Sequence, residues 1–146
     1  MRRWNIGIIA VIALVFSTAP AWAEGALGTW ATEGGKSHVT IIACEDKLCG
    51  TIVWLKEPLT KAGKLKHDAN NPDAAMQSRP IIGLPLLAGF VPSDDANFWD
   101  NGTIYNPENG EIYACNLTLA RDGTLEVHGY VGLPMFGKTQ IWTRVQ

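Results

Sequence analysis

Beyond residue 27 the chain is written in short stretches that alternate apolar and polar residues and are cut off by Gly, Asn, Asp or Pro. Successive side chains of an extended strand point to opposite faces, so this pattern buries one face of a β-sheet and wets the other. The stretches are 28–33, 37–44, 49–55, 81–90, 101–106, 111–119, 124–131 and 137–145. Most are joined by a few residues, such as Gly34-Gly35, Pro107-Glu108-Asn109-Gly110 and Arg121-Asp122-Gly123, which predicts that sequence neighbours pair antiparallel in up-and-down order. The exception is 56–78, a polar stretch with Pro58 and Pro72 that reads as a long surface loop with one helical turn near 73–77.

The two ends of this series say how the sheet finishes. The first stretch opens Gly28-Thr29-Trp30 and the last carries Trp142-Thr143-Arg144. A tryptophan on the first strand and an arginine on the last are placed to meet where a sheet closes on itself, the guanidinium over an indole. Gly28, Trp30, Trp142 and Arg144 are therefore expected to close a small all-β barrel. A barrel of about eight strands holds packed side chains or one small ligand, which favours a binding protein over a catalyst.

Residues 1–23 read as a signal peptide and 24–146 as a single domain. Arg2 and Arg3 precede the apolar run 6–16, and Ala21-Trp22-Ala23 is a small-x-small cleavage site. The run is shorter than the roughly 20 apolar residues of a membrane span. Export to the periplasm or the exterior is expected, with no membrane span in the mature chain. Cleavage near Ala23 removes two of the twelve basic residues and leaves ten against fourteen acidic, a formal charge of −4. That balance argues against nucleic acid or anionic lipid as a partner.

Strand register can be tested from the pattern, because a slip of one residue moves every side chain to the other face. Joining Cys44 to Cys49 across a four-residue loop puts Val39, Ile41 and Ala43 on one apolar face with Gly50, Ile52 and Trp54. The two cysteines then stand opposite each other, which in an oxidising compartment predicts a disulfide. The third thiol, Cys115, invites comparison with His128 on the next strand. A three-residue turn with Gly123 left-handed instead groups Tyr113, Cys115, Leu117 and Leu119 with Leu125, Val127 and Gly129, leaving His128 on the wet face. Cys115 then reads as a buried apolar residue and not a nucleophile.

Metal and acid–base chemistry find little support. The run His67-Asp68-Ala69-Asn70-Asn71-Pro72-Asp73 is rich in oxygen ligands, but Pro72 occupies a ligand position and no glutamate completes a calcium loop. Asp94 and Asp95 read as a solvated loop, and the three histidines are far apart. No catalytic residue, metal or cofactor is expected. Asp68 or His67 would be the residues of an enzyme if there were one.

Longer runs resemble the secreted bacterial proteins grouped as domain of unknown function 2147. The resemblance is carried by 44–50, Trp54-Leu55-Lys56-Glu57-Pro58, Asp68, Asn71, Arg79-Pro80-Ile81-Ile82-Gly83, Trp99, 102–110, Gly129-Tyr130-Val131-Gly132, Phe136-Gly137 and 140–144. It implies a lipocalin-like, eight-stranded barrel exported to the envelope. The resulting expectation is a non-enzymatic protein that binds a small hydrophobic or amphipathic molecule. Trp54, Trp99, Tyr105 and Tyr113 would line the pocket, and Arg79 would meet an anionic head group at its mouth. The rival is an envelope protein-interaction module with a filled barrel and no ligand, docking a partner through 56–78.

Overall fold

In a computed structural model, which describes residues 11–15 and 19–145, eight strands form one closed antiparallel barrel. They are β1 (Gly28–Ala31), β2 (Ser37–Cys44), β3 (Lys47–Leu55), β4 (Pro85–Pro92), β5 (Phe98–Asn106), β6 (Glu111–Leu119), β7 (Leu125–Tyr130) and β8 (Lys138–Arg144). Each strand pairs with its sequence neighbour, and β8 returns to β1 through Trp30 opposite Arg144 and Ala31 opposite Thr143. The arginines and most of the apolar run expected of the leader lie outside the described residues.

Up-and-down order sorts the connections onto two ends. The β2–β3, β4–β5 and β6–β7 turns, the start of β1 and the end of β8 lie at one, which we call the closed end. The β1–β2, β3–β4, β5–β6 and β7–β8 connections surround the other, the open end. Short 3-10 turns sit in three of the open-end connections: Glu33–Gly35, Ala74–Met76 and Pro134–Phe136. The middle one is the helical turn expected near 73–77, and the Asp73 side chain caps it by accepting from the Ala75 amide.

The closed end is filled. Trp30, Ile41, Leu48, Phe90, Trp99, Leu117 and Leu125 are buried there. Gly102 lies against Phe90, and a Cβ on it would collide with the ring, so the glycine gives the ring its space. Ala23 and Ala26 are fully buried against this layer. The Trp99 indole donates to the Trp22 carbonyl at 2.8 Å, and Trp30 donates to the Ala26 carbonyl at 2.9 Å. Arg144 lies 4.2 Å from the Trp30 ring centre and donates to the carbonyls of Gly25 and Leu27, both at 2.8 Å. One cation thus bridges the last strand, the first tryptophan and the segment leading into β1.

Local registers depart from expectation in two places. The β2–β3 hairpin turns through Glu45-Asp46 alone, pairing Cys44 with Lys47 and Ile42 with Cys49. The register is two residues tighter than a four-residue loop would give, because Glu45 takes the left-handed φ of 58° that allows a sharp reversal. Parity survives a shift of two, so Val39, Ile41, Gly50 and Ile52 still face inward. The cysteines are diagonal instead of opposite, with Cα atoms 5.8 Å apart, and they form the Cys44–Cys49 disulfide. The second departure is a bulge: His38 pairs with Trp54 and Val39 with Ile52, leaving Val53 without an opposite residue. That extra residue turns Trp54 outward onto His38, where it is 42% exposed, and lets Leu55 reach the interior.

The β6–β7 register follows the three-residue turn. Leu119 pairs with Leu125, Leu117 with Val127 and Cys115 with Gly129, and Gly123 has a φ of 84°. The stretch 81–90 is strand only from Pro85. Before it, Ile81 and Leu84 are buried as the chain folds back, with the Ile81 amide on the Lys66 carbonyl and the Gly83 amide on the Ile52 carbonyl. A bulge after Trp99, where Asn101 has a φ of 58°, lets β5 begin earlier than alternation predicts.

Candidate functional site

The open half of the barrel is hollow. A cavity of about 1430 Å³ extends from the interior to the rim loops. Its floor and walls are Ile52, Leu55, Ile104, Val127 and Trp142, with Gly129 leaving room beside Ile104. Its volume exceeds the roughly 300–1,000 Å³ of ordinary small-molecule pockets because it continues between the loops. Lys36, Lys56, Lys64, Lys66, His67 and Lys138 stand around the rim, with Glu33, Glu57 and Glu108 among them. Ile52, Val127 and Trp142 are each no more than 3% exposed, so the space narrows towards its floor and is widest between the rim loops.

The long β3–β4 connection is held beside this mouth by a buried ionic cluster. Asp68 is fully buried; its Oδ1 accepts from the Tyr105 hydroxyl at 2.6 Å, and its Oδ2 from Asn71 Nδ2 and Arg79 Nε, both at 2.9 Å. Burial by itself would raise the Asp68 pKa, but hydrogen bonds from Tyr105, Asn71 and Arg79, together with the Arg79 charge, outweigh it and hold the carboxyl below its usual range. Burial and the carboxylate beside it push the Tyr105 phenol upward. The Asp68 amide donates to the Arg79 carbonyl, and Asn70 Nδ2 donates to the carbonyls of Pro107 and Glu108 in the β5–β6 turn. Gly110 permits that approach, since a Cβ on it would collide with the Asn70 carbonyl. Every member of the cluster has a partner, as a buried charge requires.

Of the five residues expected to bind ligand, Tyr105 and Tyr113 line the cavity. Tyr113 is half-buried at the rim, its hydroxyl donating to Glu111 and accepting from Asn109, and the Glu111 hydrogen bond raises its pKa. Trp54 is outside the barrel because of the Val53 bulge. Trp99 is buried within the packed closed end and does not line the cavity. Arg79 is committed to Asp68, 5.6 Å from the Tyr105 ring centre, and lines a separate outer recess of about 220 Å³. The expectation placed Trp142 with barrel closure, and the structure also puts it on the cavity floor, its indole donating to Gln140. The alternation that turned Ile52 and Val127 inward was the signal for that floor.

Cys115 is buried, and burial pushes its thiol up to about 12. His128 lies on the opposite face, held between the Thr139 hydroxyl and the Pro134 carbonyl, so no Cys–His pair forms. Among the described residues, no three His, Cys, Asp or Glu side chains are grouped to hold a metal, and no helix is long and apolar enough to cross a membrane.

A closed eight-stranded up-and-down barrel, packed at one end and hollow at the other, is a lipocalin-like architecture. A protein from Helicobacter pylori, HP1028, described as belonging to the lipocalin family, has a similar structure with a TM-score of 0.71, at 21% identity over 88% of this chain and 85% of that one. At that identity the likeness is one of fold. The chain belongs to the family described as uncharacterized protein conserved in bacteria (DUF2147), which matches residues 28–144. No curated protein matches the sequence.

Proposed function

We propose that this is an exported, non-enzymatic binding protein that holds a small hydrophobic or amphipathic molecule in the open half of its barrel, cleaved from a leader near Ala23. The hollow above Trp142 carries the reading. A barrel of this size could have been filled by its own side chains, yet Gly129 and the outward turn of Trp54 leave the space empty. Apolar walls beneath a charged rim suit a molecule with an apolar body and a polar end. The family match starting at residue 28 agrees with a leader ahead of the domain. The charge complement of an anionic end would come from rim lysines, because Arg79 is already neutralised by Asp68.

Titration with an apolar naphthylamine dye tests the reading. Saturable 1:1 binding is expected, with energy transfer from tryptophan. Gly129→Leu should abolish it while the fold persists, because the added side chain enters the cavity beside Ile104, where even a Cβ meets its Cγ2 at 3.5 Å. Native mass spectrometry of protein taken from a bacterial envelope should show a co-purifying mass that the variant lacks. Dye binding unchanged by Gly129→Leu, or none in either protein, refutes the proposal.

A further inference from the structure

The rim of the open end exposes an unusual amount of apolar surface. Leu133, Met135 and Phe136 in the β7–β8 connection are 55%, 76% and 73% exposed, and Leu59 and Leu65 in the β3–β4 connection are 50% and 56% exposed. The last two face each other in an isolated bridge, so residues 59–65 form a small hairpin whose tip is Thr60 to Lys64. Lysines alternate with these side chains: Lys36, Lys56, Lys61, Lys64 and Lys138 are exposed, and Lys66 is half-buried. In circular strand order the β7–β8, β1–β2 and β3–β4 connections are consecutive, so this apolar and basic surface occupies one continuous arc of the rim.

The acidic residues lie elsewhere. Glu45, Asp46, Asp94, Asp95 and Asp122 are in the turns of the closed end, Glu108 and Glu111 are at the β5–β6 connection, and Asp73 follows Asn70, which ties the far part of the β3–β4 connection to that turn. Glu33 and Glu57 stand within the basic arc, and Glu108 borders it. The formal charge of −4, which argues against anionic lipid when taken as an average, conceals a molecule with one basic face.

We propose that this arc docks on an anionic lipid bilayer, Leu133, Met135, Phe136, Leu59 and Leu65 entering the interface and the lysines meeting lipid phosphates. Charge complementarity chooses the occupant: the apolar tips are flanked by cations, which suits the interface of an anionic bilayer, where apolar area and basic charge act together. Docking in this pose presents the cavity mouth to the bilayer, so an apolar molecule passes between the two without crossing water. The docking itself does not depend on what the cavity holds.

Flotation with vesicles of 30% phosphatidylglycerol in phosphatidylethanolamine, against pure phosphatidylcholine, tests the surface. Partition at least tenfold stronger onto the anionic vesicles at low salt is expected, weakening in 0.5 M salt. Met135→Ser with Phe136→Ser, and separately Lys61→Glu with Lys64→Glu, should each reduce it at least fivefold without shifting the thermal midpoint. Lys47→Glu, the same charge change at the closed end, should leave it unaltered. Absence of partition onto anionic vesicles, or equal loss with Lys47→Glu, overturns the inference. So does a dimer in light scattering that the Met135 and Phe136 changes dissociate, which would assign the surface to a second copy of the chain.

Discussion

Replacing Asp68 by Asn keeps the shape of the cluster that holds the β3–β4 connection but removes its charge. The carboxylate accepts three hydrogen bonds, from Tyr105, Asn71 and Arg79. Hydrogen bonds to a charged group contribute roughly 1.5–3 kcal/mol each, and an Asn oxygen can keep at most part of this while its amide confronts a donor. Arg79 is 30% exposed and can turn to water, which recovers some of the loss. The net cost at pH 7 should be about 3 kcal/mol, read from urea unfolding followed by tryptophan fluorescence with the disulfide intact. The difference must also depend on pH. The folded pKa lies below the ordinary 3.8, so the unfolded chain binds the proton more readily, and the stabilisation is complete above about pH 4 and fades as pH falls through the folded value. The difference between wild type and Asp68→Asn should therefore shrink as pH falls below about 4. A cost at pH 7 below about 0.5 kcal/mol, or a difference that does not shrink at all as pH falls below about 4, would show that the carboxylate charge does not hold the loop.

Other outcomes follow from the same geometry. Arg144→Ala removes two bonds to carbonyls and the contact with Trp30, and because the side chain is exposed the loss should be about 1–2 kcal/mol in chemical denaturation; a change within error would mean that closure does not need the cation. Cys115, with its thiol pushed up to about 12, should react with a disulfide reagent only after denaturant is added. Immediate labelling in the native protein would contradict its burial. A chain starting at Glu24 lacks the Trp22 carbonyl that accepts from Trp99, and compared with one starting at Pro20 it should be about 1 kcal/mol less stable. Identical thermal midpoints would show that the Trp99 indole finds another acceptor.

Alternation and turn chemistry made most of the barrel legible. Gly123 identified the β6–β7 turn, and with it the inward face of Cys115, Leu117 and Val127, because only one register left a uniformly apolar face. The β2–β3 turn was harder, since neither Glu45 nor Asp46 is a glycine and a left-handed glutamate leaves no mark in the pattern. The Val53 bulge was invisible for a similar reason: Gly50, Ile52 and Trp54 keep perfect alternation in sequence while the backbone inserts a residue between them. That one insertion decides whether Trp54 is ligand or surface. The Asp68 cluster joins residues as far apart as 68 and 105, and nothing local announces such a contact. Arg79 read as an anion receptor because its neutralising partner lies 11 positions away in an aperiodic loop.

The seam where the barrel closes has a mechanical meaning. β1 and β8 share two paired positions, while β2 and β3 share eight. Beyond these two pairs, β1 and β8 are joined by the Val145 amide on the Thr29 carbonyl and by the reach of one guanidinium to two carbonyls and an indole. The molecule is thus a continuous ribbon fastened by a clasp, and a force applied to its ends parts the clasp before it strains any hairpin. Once parted, it leaves two bare strand edges, the arrangement from which two copies exchange strands.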